Sequence, residues 1–347
     1  MSNDRQIDLA DRVSEAIVPP EVAKEIGVLE QQFIHTEVEQ LRQSIVSFRP
    51  LFEKRAKLIS HPEVTSNFWL RVLSNAPAEI DEYITSSDAA ILGQSLKNLT
   101  VERFEVDEKG QGEPRSVRFI FDFHTDERNP YFENDKLVKE FYWRKQVLTT
   151  PSGKKRTCDG LVSEPVRINW KKDKDVTKGV LDATVDLFEA EKKGGERKDL
   201  PEFKTLIEKL AEVEDVEEEE DDEDDLGLAS GSSFFNFFGY RGSDVTAEQS
   251  ADVTKEENER LEKILKGEKV DDDEADDDEE VEDDFETIES FPGGQELAGA
   301  IADDLWPNAV KYYVQSFEEG PDFEEEDFDD EDDEDDEEAP PLKKTKV

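Results

Sequence analysis

The sequence predicts an α+β fold: a long N-terminal dimerisation helix, then a domain with a four-stranded antiparallel sheet and packed helices, interrupted and followed by acidic segments. Three observations predict it. An apolar stripe at four-three spacing runs through some 40 residues from Glu21. Apolar and polar side chains alternate from Val117 to His124, the period of a half-buried strand. The acidic residues are gathered into runs that cannot contribute to a core.

Taken in order, residues 4–16 predict a short helix on Ile7, Leu9 and Val13, stopped by Pro19-Pro20. From Glu21, Val22, Ile26, Leu29 and Phe33 set the rhythm, and Ile34, Val38, Leu41, Ile45, Phe48 and Phe52 resume it one position later. A helix over 21–60 would be about 60 Å long at about 1.5 Å per residue, and would overhang a domain of this size. Pairing with a second copy, parallel or antiparallel, buries such a stripe economically; the alternative is a helix that caps its own domain. Pro50 removes one intrahelical bond, and the helical composition beyond it predicts a kink rather than a stop. Val64, Phe68, Trp69, Val72 and Leu73 form a further helical patch ended by Pro77, Ile80, Tyr83 and Ile84 suggest another short helix, and Asp88 is a candidate N-cap.

The period then changes to two. Strands are predicted from Leu99 to Val106, with a bulge near Phe104, from Val117 to Phe123, from Leu137 to Arg144, and across Val166, Ile168 and Trp170. Short turns without crossover helices make this an antiparallel meander. Val180 to Ala190 and Pro201 to Ala211 read as helices. Phe234, Phe235, Phe237, Phe238 and Tyr240 place five aromatics within seven residues, more economically a piece of core than an exposed patch. Residues 241–290 read as a linker with a short helix at Leu261, Ile264 and Leu265. Helical periodicity returns from Gln295 to Phe317, with Pro307 marking a fresh start.

The chain of 347 residues carries 92 Asp+Glu against 43 Lys+Arg, a formal charge of -49. Positions 212–225 hold 12 acids of 14, 271–289 hold 14 of 19, and 318–338 hold 17 of 21, with no Lys or Arg in any of them. The remaining residues carry 49 acids and 43 bases, so a nearly balanced body bears three polyanionic segments. Such charge repels phosphate, which disfavours naked DNA as partner and favours a basic protein. No apolar run approaches the roughly 18 residues of a membrane span, and the N-terminus lacks the layout of a secretory signal.

Catalytic chemistry is sparse. One cysteine, Cys158, excludes an intrachain disulfide. His35, His61 and His124 match no metal-binding spacing, Asp271-Asp272-Asp273-Glu274 lacks the turn of a calcium loop, and Ser152-Gly153-Lys154-Lys155 lacks the glycines of a phosphate loop. The expectation is a protein that is not an enzyme, with no metal and no cofactor.

Several blocks carry a resemblance. They are Phe48-Arg49-Pro50-Leu51-Phe52-Glu53-Lys54-Arg55, Asn67-Phe68-Trp69, Asn129-Pro130-Tyr131-Phe132-Glu133-Asn134, Ser163-Glu164-Pro165-Val166-Arg167-Ile168-Asn169-Trp170, Ser233-Phe234-Phe235-Asn236-Phe237-Phe238 and Asp303-Asp304-Leu305-Trp306-Pro307. In this order, with the acidic tail, the chain resembles the nucleosome assembly protein family of histone chaperones, most of all its SET branch with the related fungal members. The spacer from Trp170 to Phe234 and the insertion at 241–290 depart from the SET pattern.

The resemblance implies one unbroken helix through Pro50, an earmuff-shaped domain, a homodimer, and core histones as cargo, either the outer-dimer pair or the central-tetramer pair. It implies a nuclear location, with shuttling to the cytoplasm, and as secondary partners a histone acetyltransferase or a protein phosphatase. The expected organisation is an N-terminal segment 1–20, the dimerisation helix 21–60, a first part of the earmuff 61–211, an acidic linker 212–230, an aromatic return 231–240, a disordered insertion 241–290, C-terminal helices 291–317 and a tail 318–347. Candidate histone contacts are Glu133, Asp303, Asp304, Glu318, Glu319, Asp322, Glu324, Glu325, Glu326, Asp327, Asp329 and Asp330. Candidate dimer contacts are Ile26, Leu29, Phe33, Val38, Leu41, Ile45, Phe48 and Phe52.

Overall fold

In the computed structural model, which describes residues 19–149, 155–220, 232–266, 268 and 288–318, the first apolar stripe is one helix, α1 (Pro20–Ile59). Pro20 lies in its first turn, where a missing N–H costs nothing, and the helix continues through Pro50. Three arginines fasten its C-terminal half to the body. Arg42 donates to the Gly112 carbonyl at 2.8 Å, Arg49 to the carbonyls of Val106 and Asp107, and Arg55 to that of Trp306.

Four short helices follow: α2 (Pro62–Thr65), α3 (Phe68–Leu73), α4 (Ala78–Asp81) and α5 (Ser86–Ser95). The patch expected as one helix is thus divided between α2 and α3. Asp88 is not the N-cap of α5. Thr85 is, and Asp88 answers it from the third helical position in a reciprocal capping box.

The sheet has the order β1-β2-β3-β4, all antiparallel: β1 (Leu96–Glu102), β2 (Val117–Phe123), β3 (Lys136–Thr149) and β4 (Lys155–Ser163). The fourth strand therefore precedes the one expected at 166–170. Pro165 has no N–H for a ladder, and the segment after it turns to other partners. The Val166 amide donates to the Phe238 carbonyl at 2.8 Å, the Asn169 amide to Asn134 Oδ1 at 2.7 Å, and Trp170 bridges Phe132. The irregularity in β1 falls between Leu96 and Asn98 rather than near Phe104.

One face of the sheet is aromatic. Val117, Phe119, Phe121 and Phe123 point inward, the first three opposite Phe141, Lys139 and Leu137 of β3. The segment Phe234–Gly239, a short 3-10 helix, lies buried against that face. Phe237 meets Phe119 at 5.6 Å and Phe141 at 5.1 Å between ring centres, and Phe238 meets Phe121 at 5.5 Å. Lys139 places a charge on this wall. Its Nζ is fully enclosed and donates to the carbonyls of Glu164, Phe238 and Tyr240 at 2.8, 3.1 and 2.6 Å. Burial pushes the ammonium well below the usual lysine range, while the three carbonyl acceptors tie both incoming segments to β3.

Helices α6 (Val180–Lys193) and α7 (Pro201–Glu220) pair around Val180, Leu187, Phe203 and Leu206. Helix α7 runs into the stretch expected as an acidic linker, because Val213 still finds a buried place beside it. Within the segment expected as a disordered insertion, α8 (Ala247–Leu265) starts at a Thr246–Gln249 capping box and lies along β3. Ser250 accepts from the Lys145 amide at 2.8 Å, and Lys145 pairs with Glu257. Helix α9 (Gly294–Ala300) continues through a π-helical turn (Ile301–Leu305) into α10 (Trp306–Gln315), so Pro307 sits in the first turn of a helix that follows without a break.

Candidate functional site

The candidate residues fall into three groups. Along α1, Ile26, Leu29, Phe33 and Phe48 are exposed; Phe33 is 60% accessible. Val38, Leu41 and Ile45 are half-covered. Phe52 differs, since its ring packs 5.6 Å from Trp306 and joins α1 to the body.

Of the acidic candidates on the body, Glu133 is exposed and its amide donates to the Asn169 carbonyl at 3.0 Å, which fixes the backbone and leaves the carboxylate outward. Asp303 projects from the π-helical turn, two-thirds exposed, and pairs with Arg103. Asp304, its neighbour, turns to internal work. It accepts from Asn308 Nδ2 and the Tyr312 hydroxyl, both at 2.7 Å, and so staples the turn onto α10. Burial first, and then this carboxylate, push the Tyr312 hydroxyl up to about 12. Glu318 is exposed just beyond α10. Glu319, Asp322, Glu324, Glu325, Glu326, Asp327, Asp329 and Asp330 lie outside the described residues.

Sequence reasoning passed over one acidic cluster. Asp182, Asp186 and Glu189 stand on one face of α6 and share Arg167, with Asp182 at 2.9 Å, Asp186 at 2.5 Å and Glu189 at 3.6 Å. Three carboxylates on one guanidinium leave a local excess of two negative charges. Burial raises the Asp182 carboxyl above the ordinary range, with Asp175 and Asp186 adding to the rise against Arg167. The spacing i, i+4, i+7 within an amphipathic helix was the available signal, hidden because these acids are interleaved with core residues.

Among the described residues there is no group of three or more His, Cys, Asp or Glu side chains placed to hold a metal. Cys158 is in no disulfide and lies half-buried on β4. His35 meets Asn258 at 3.2 Å, and burial first and then Arg128 lower the His124 imidazole below its ordinary value. Among the described residues, no helix is long and apolar enough to cross a membrane.

A long helix with an open apolar stripe thus leads into a four-stranded antiparallel sheet domain with an aromatic core. The chain belongs to the nucleosome assembly protein family, whose model matches residues 20–316. That family is one of non-catalytic histone chaperones.

Similar proteins include a Schizosaccharomyces pombe protein named as a nucleosome assembly protein, 35% identical over 150 residues, or 43% of this chain and 57% of that one. Protein SET of Drosophila melanogaster is 30% identical over 133 residues, covering 38% and 42% of the two chains, and human Protein SETSIP is 31% identical over 159 residues, covering 46% and 45%. The matches thus span about half the length of these relatives. Among solved structures, the crystal structure of Ccp1 is 25% identical and covers 87% of this chain and 98% of its own, with a TM-score of 0.49.

Proposed function

We propose that this protein is a nuclear histone chaperone that works as a homodimer through α1. It holds core histones on its body and acidic segments and so withholds them from DNA until a nucleosome is built. The observation that carries this reading is membership of the family joined to the segregation of charge: a body near neutrality with three runs free of Lys and Arg.

The physical rationale is competition. Histone lysines and arginines bind DNA through the release of condensed counterions, and a polyanionic segment offers the same exchange. Exposed ion pairs contribute only ~0–1 kcal/mol each, so affinity must be collective and reversible by salt. Glu133, Asp303 and Glu318 are the described carboxylates suited to contact; Asp304, committed to the π-helical turn, acts by holding Asp303 in place. The acids beyond Glu318 then extend the contact.

The reading is tested by titrating each core-histone pair with the full chain and with an acidic peptide of scrambled order and equal charge. The chaperone reading predicts that the chain binds at least one pair more tightly at physiological salt and that the advantage shrinks as salt rises. Equal binding by the peptide would reduce the protein to a charge reservoir and overturn the reading.

A further inference from the structure

The β3–β4 hairpin runs past the end of β2, whose ladder with β3 stops at the Val117–Phe141 pair, and its two edges are treated differently. The β3 edge is sealed: beyond Phe141, the Trp143 amide donates to Ser116 Oγ and the Lys145 amide to Ser250 Oγ, both at 2.8 Å. The β4 edge is sealed over only part of its length. There the Ser163 amide donates to the Arg241 carbonyl at 2.7 Å, the Leu161 amide to Gln295 Oε1 at 2.8 Å, and the Leu161 carbonyl accepts from the Tyr240 hydroxyl at 3.0 Å. The cover ends at Gly160, where a Cβ would come within 2.9 Å of Gln295 Oε1. Leu161 and Ser163 thus turn their backbone groups away from β3, and the period of two in an antiparallel ladder aims those of Asp159 and Thr157 the same way. Both residues are exposed, and among the described residues nothing pairs with their outward N–H and C=O groups. An open edge of this kind is a template for another extended chain.

The side chains beside it select the occupant. A pocket of 320 Å³ opens where the cover ends, its lining including Arg144, Asp159, Val245, Glu289, Gln295 and Glu296. Arg144 is paired with Glu105, and Glu289 accepts the backbone amides of Arg241, Gly242 and Ser290, so both are engaged within the chain. Asp159, 42% exposed, reaches Lys145 only at 4.0 Å, and Lys145 is bound more closely to Glu257. Glu296 is exposed and has no ion pair among the described residues. Two such carboxylates beside an open strand edge are complementary to a lysine or arginine on an incoming segment. Lys155 and Arg156 precede Thr157, so like-charge repulsion directs that basic residue to the pocket end of the edge and away from the hairpin tip.

We propose that the open part of β4, at Thr157 and Asp159, takes an extended segment of a basic partner protein as an added strand, with a lysine or arginine of that segment set in the pocket against Asp159 and Glu296. Backbone pairing supplies the hold and the pocket supplies the preference for a basic residue. The acidic runs then attract the partner's charge at large, while this edge reads one stretch of its backbone. The choice of a basic occupant rests in part on the chaperone reading; the open edge does not.

The test follows amide hydrogen exchange, resolved to single residues, in the full chain with a threonine-rich peptide bearing a central lysine. The proposal predicts that the Thr157 and Asp159 amides exchange quickly in the free protein and slow by about tenfold or more at saturating peptide. The same peptide methylated on every backbone nitrogen, or carrying glutamate in place of lysine, is predicted to leave them fast. Thr157→Pro removes an outward N–H that the ladder with β3 does not use, a change an edge strand tolerates, and is predicted to weaken the lysine peptide about tenfold while thermal unfolding stays that of the parent. Asp159→Asn with Glu296→Gln, which leaves the backbone alone, is predicted to abolish the preference for lysine over glutamate. Amides already slow in the free protein, whether covered by the chain itself or, with rising concentration, by a second copy, would overturn the proposal, as would equal protection by the methylated or the glutamate peptide. Binding of each core-histone pair is measured in parallel. Histones bound without protection of Thr157 and Asp159 by the lysine peptide would end this proposal and leave the chaperone reading standing; protection without histone binding would do the reverse.

Discussion

Asp88 shows how a single side chain decides the packing of a distant segment. Its buried carboxylate receives the Thr85 amide at 3.1 Å and hydroxyl at 2.7 Å, and also the Ser233 hydroxyl at 2.5 Å and the Phe234 amide at 2.8 Å. One acid thus caps α5 and moors the aromatic segment 145 residues later. Asp88→Ala leaves these donors unsatisfied and is predicted to cost about 3 kcal/mol, read by denaturant unfolding, with Asp88→Asn losing less. Glu140 sets a pH dependence. Burial opposes its ionisation, but the Tyr142 hydroxyl and Arg118 hold its carboxyl below the ordinary glutamate value of 4.5. A folded-state value depressed below the unfolded one gives stability that is present above pH 4.5 and lost as pH falls through the lower folded value. Thermal unfolding of Glu140→Gln across pH 3 to 7 is therefore predicted to lie below the parent at neutral pH and to converge on it in acid.

At the scale of elements, legibility followed what a pattern reports. The α1 stripe and the alternation of β2 were readable because each gathers its apolar residues on one face. Strand β4 was not. Of Lys155 to Ser163 only Leu161 is buried among the apolar residues, so this edge strand has no apolar face to announce it. The segment Val166–Trp170 was misread for the complementary reason: its alternation reports burial, and burial came from Phe238 and Phe132 rather than from a strand ladder. Helix α8 hid because its sequence is mostly charged; its attachment depends on Ser250 and Glu257 reaching β3, contacts with no periodic signature. The open stripe of α1 carries its own prediction. Leu29→Asp with Phe33→Asp, both on exposed positions, is predicted to halve the mass in solution while changing the stability of the sheet domain by less than about 1 kcal/mol. Unaltered mass would assign the stripe to something other than self-association.

For the molecule as a whole, charge and core are held apart. Asp88, buried in the aromatic sheet domain, is hydrogen-bonded, and most of the net negative charge lies in the three acidic runs. The runs were the plainest feature of the sequence, but the candidate surface was only partly legible. Asp303 and Asp304 look equivalent as letters, and only the π-helical turn separates an outward carboxylate from one bound to Asn308 and Tyr312. The α6 cluster around Arg167 depended on a tertiary neighbour that no spacing identifies. The central claim is that two joined copies hold histones by competing with DNA for their positive charge. Its most direct measurement is the transfer of each core-histone pair from a DNA fragment to the full chain over a salt series, with the mass of the resulting complex determined in parallel. The account predicts transfer at moderate ionic strength into a complex containing two copies of the chain. Histones that stay on the DNA throughout the series, or that bind a single copy, would contradict it.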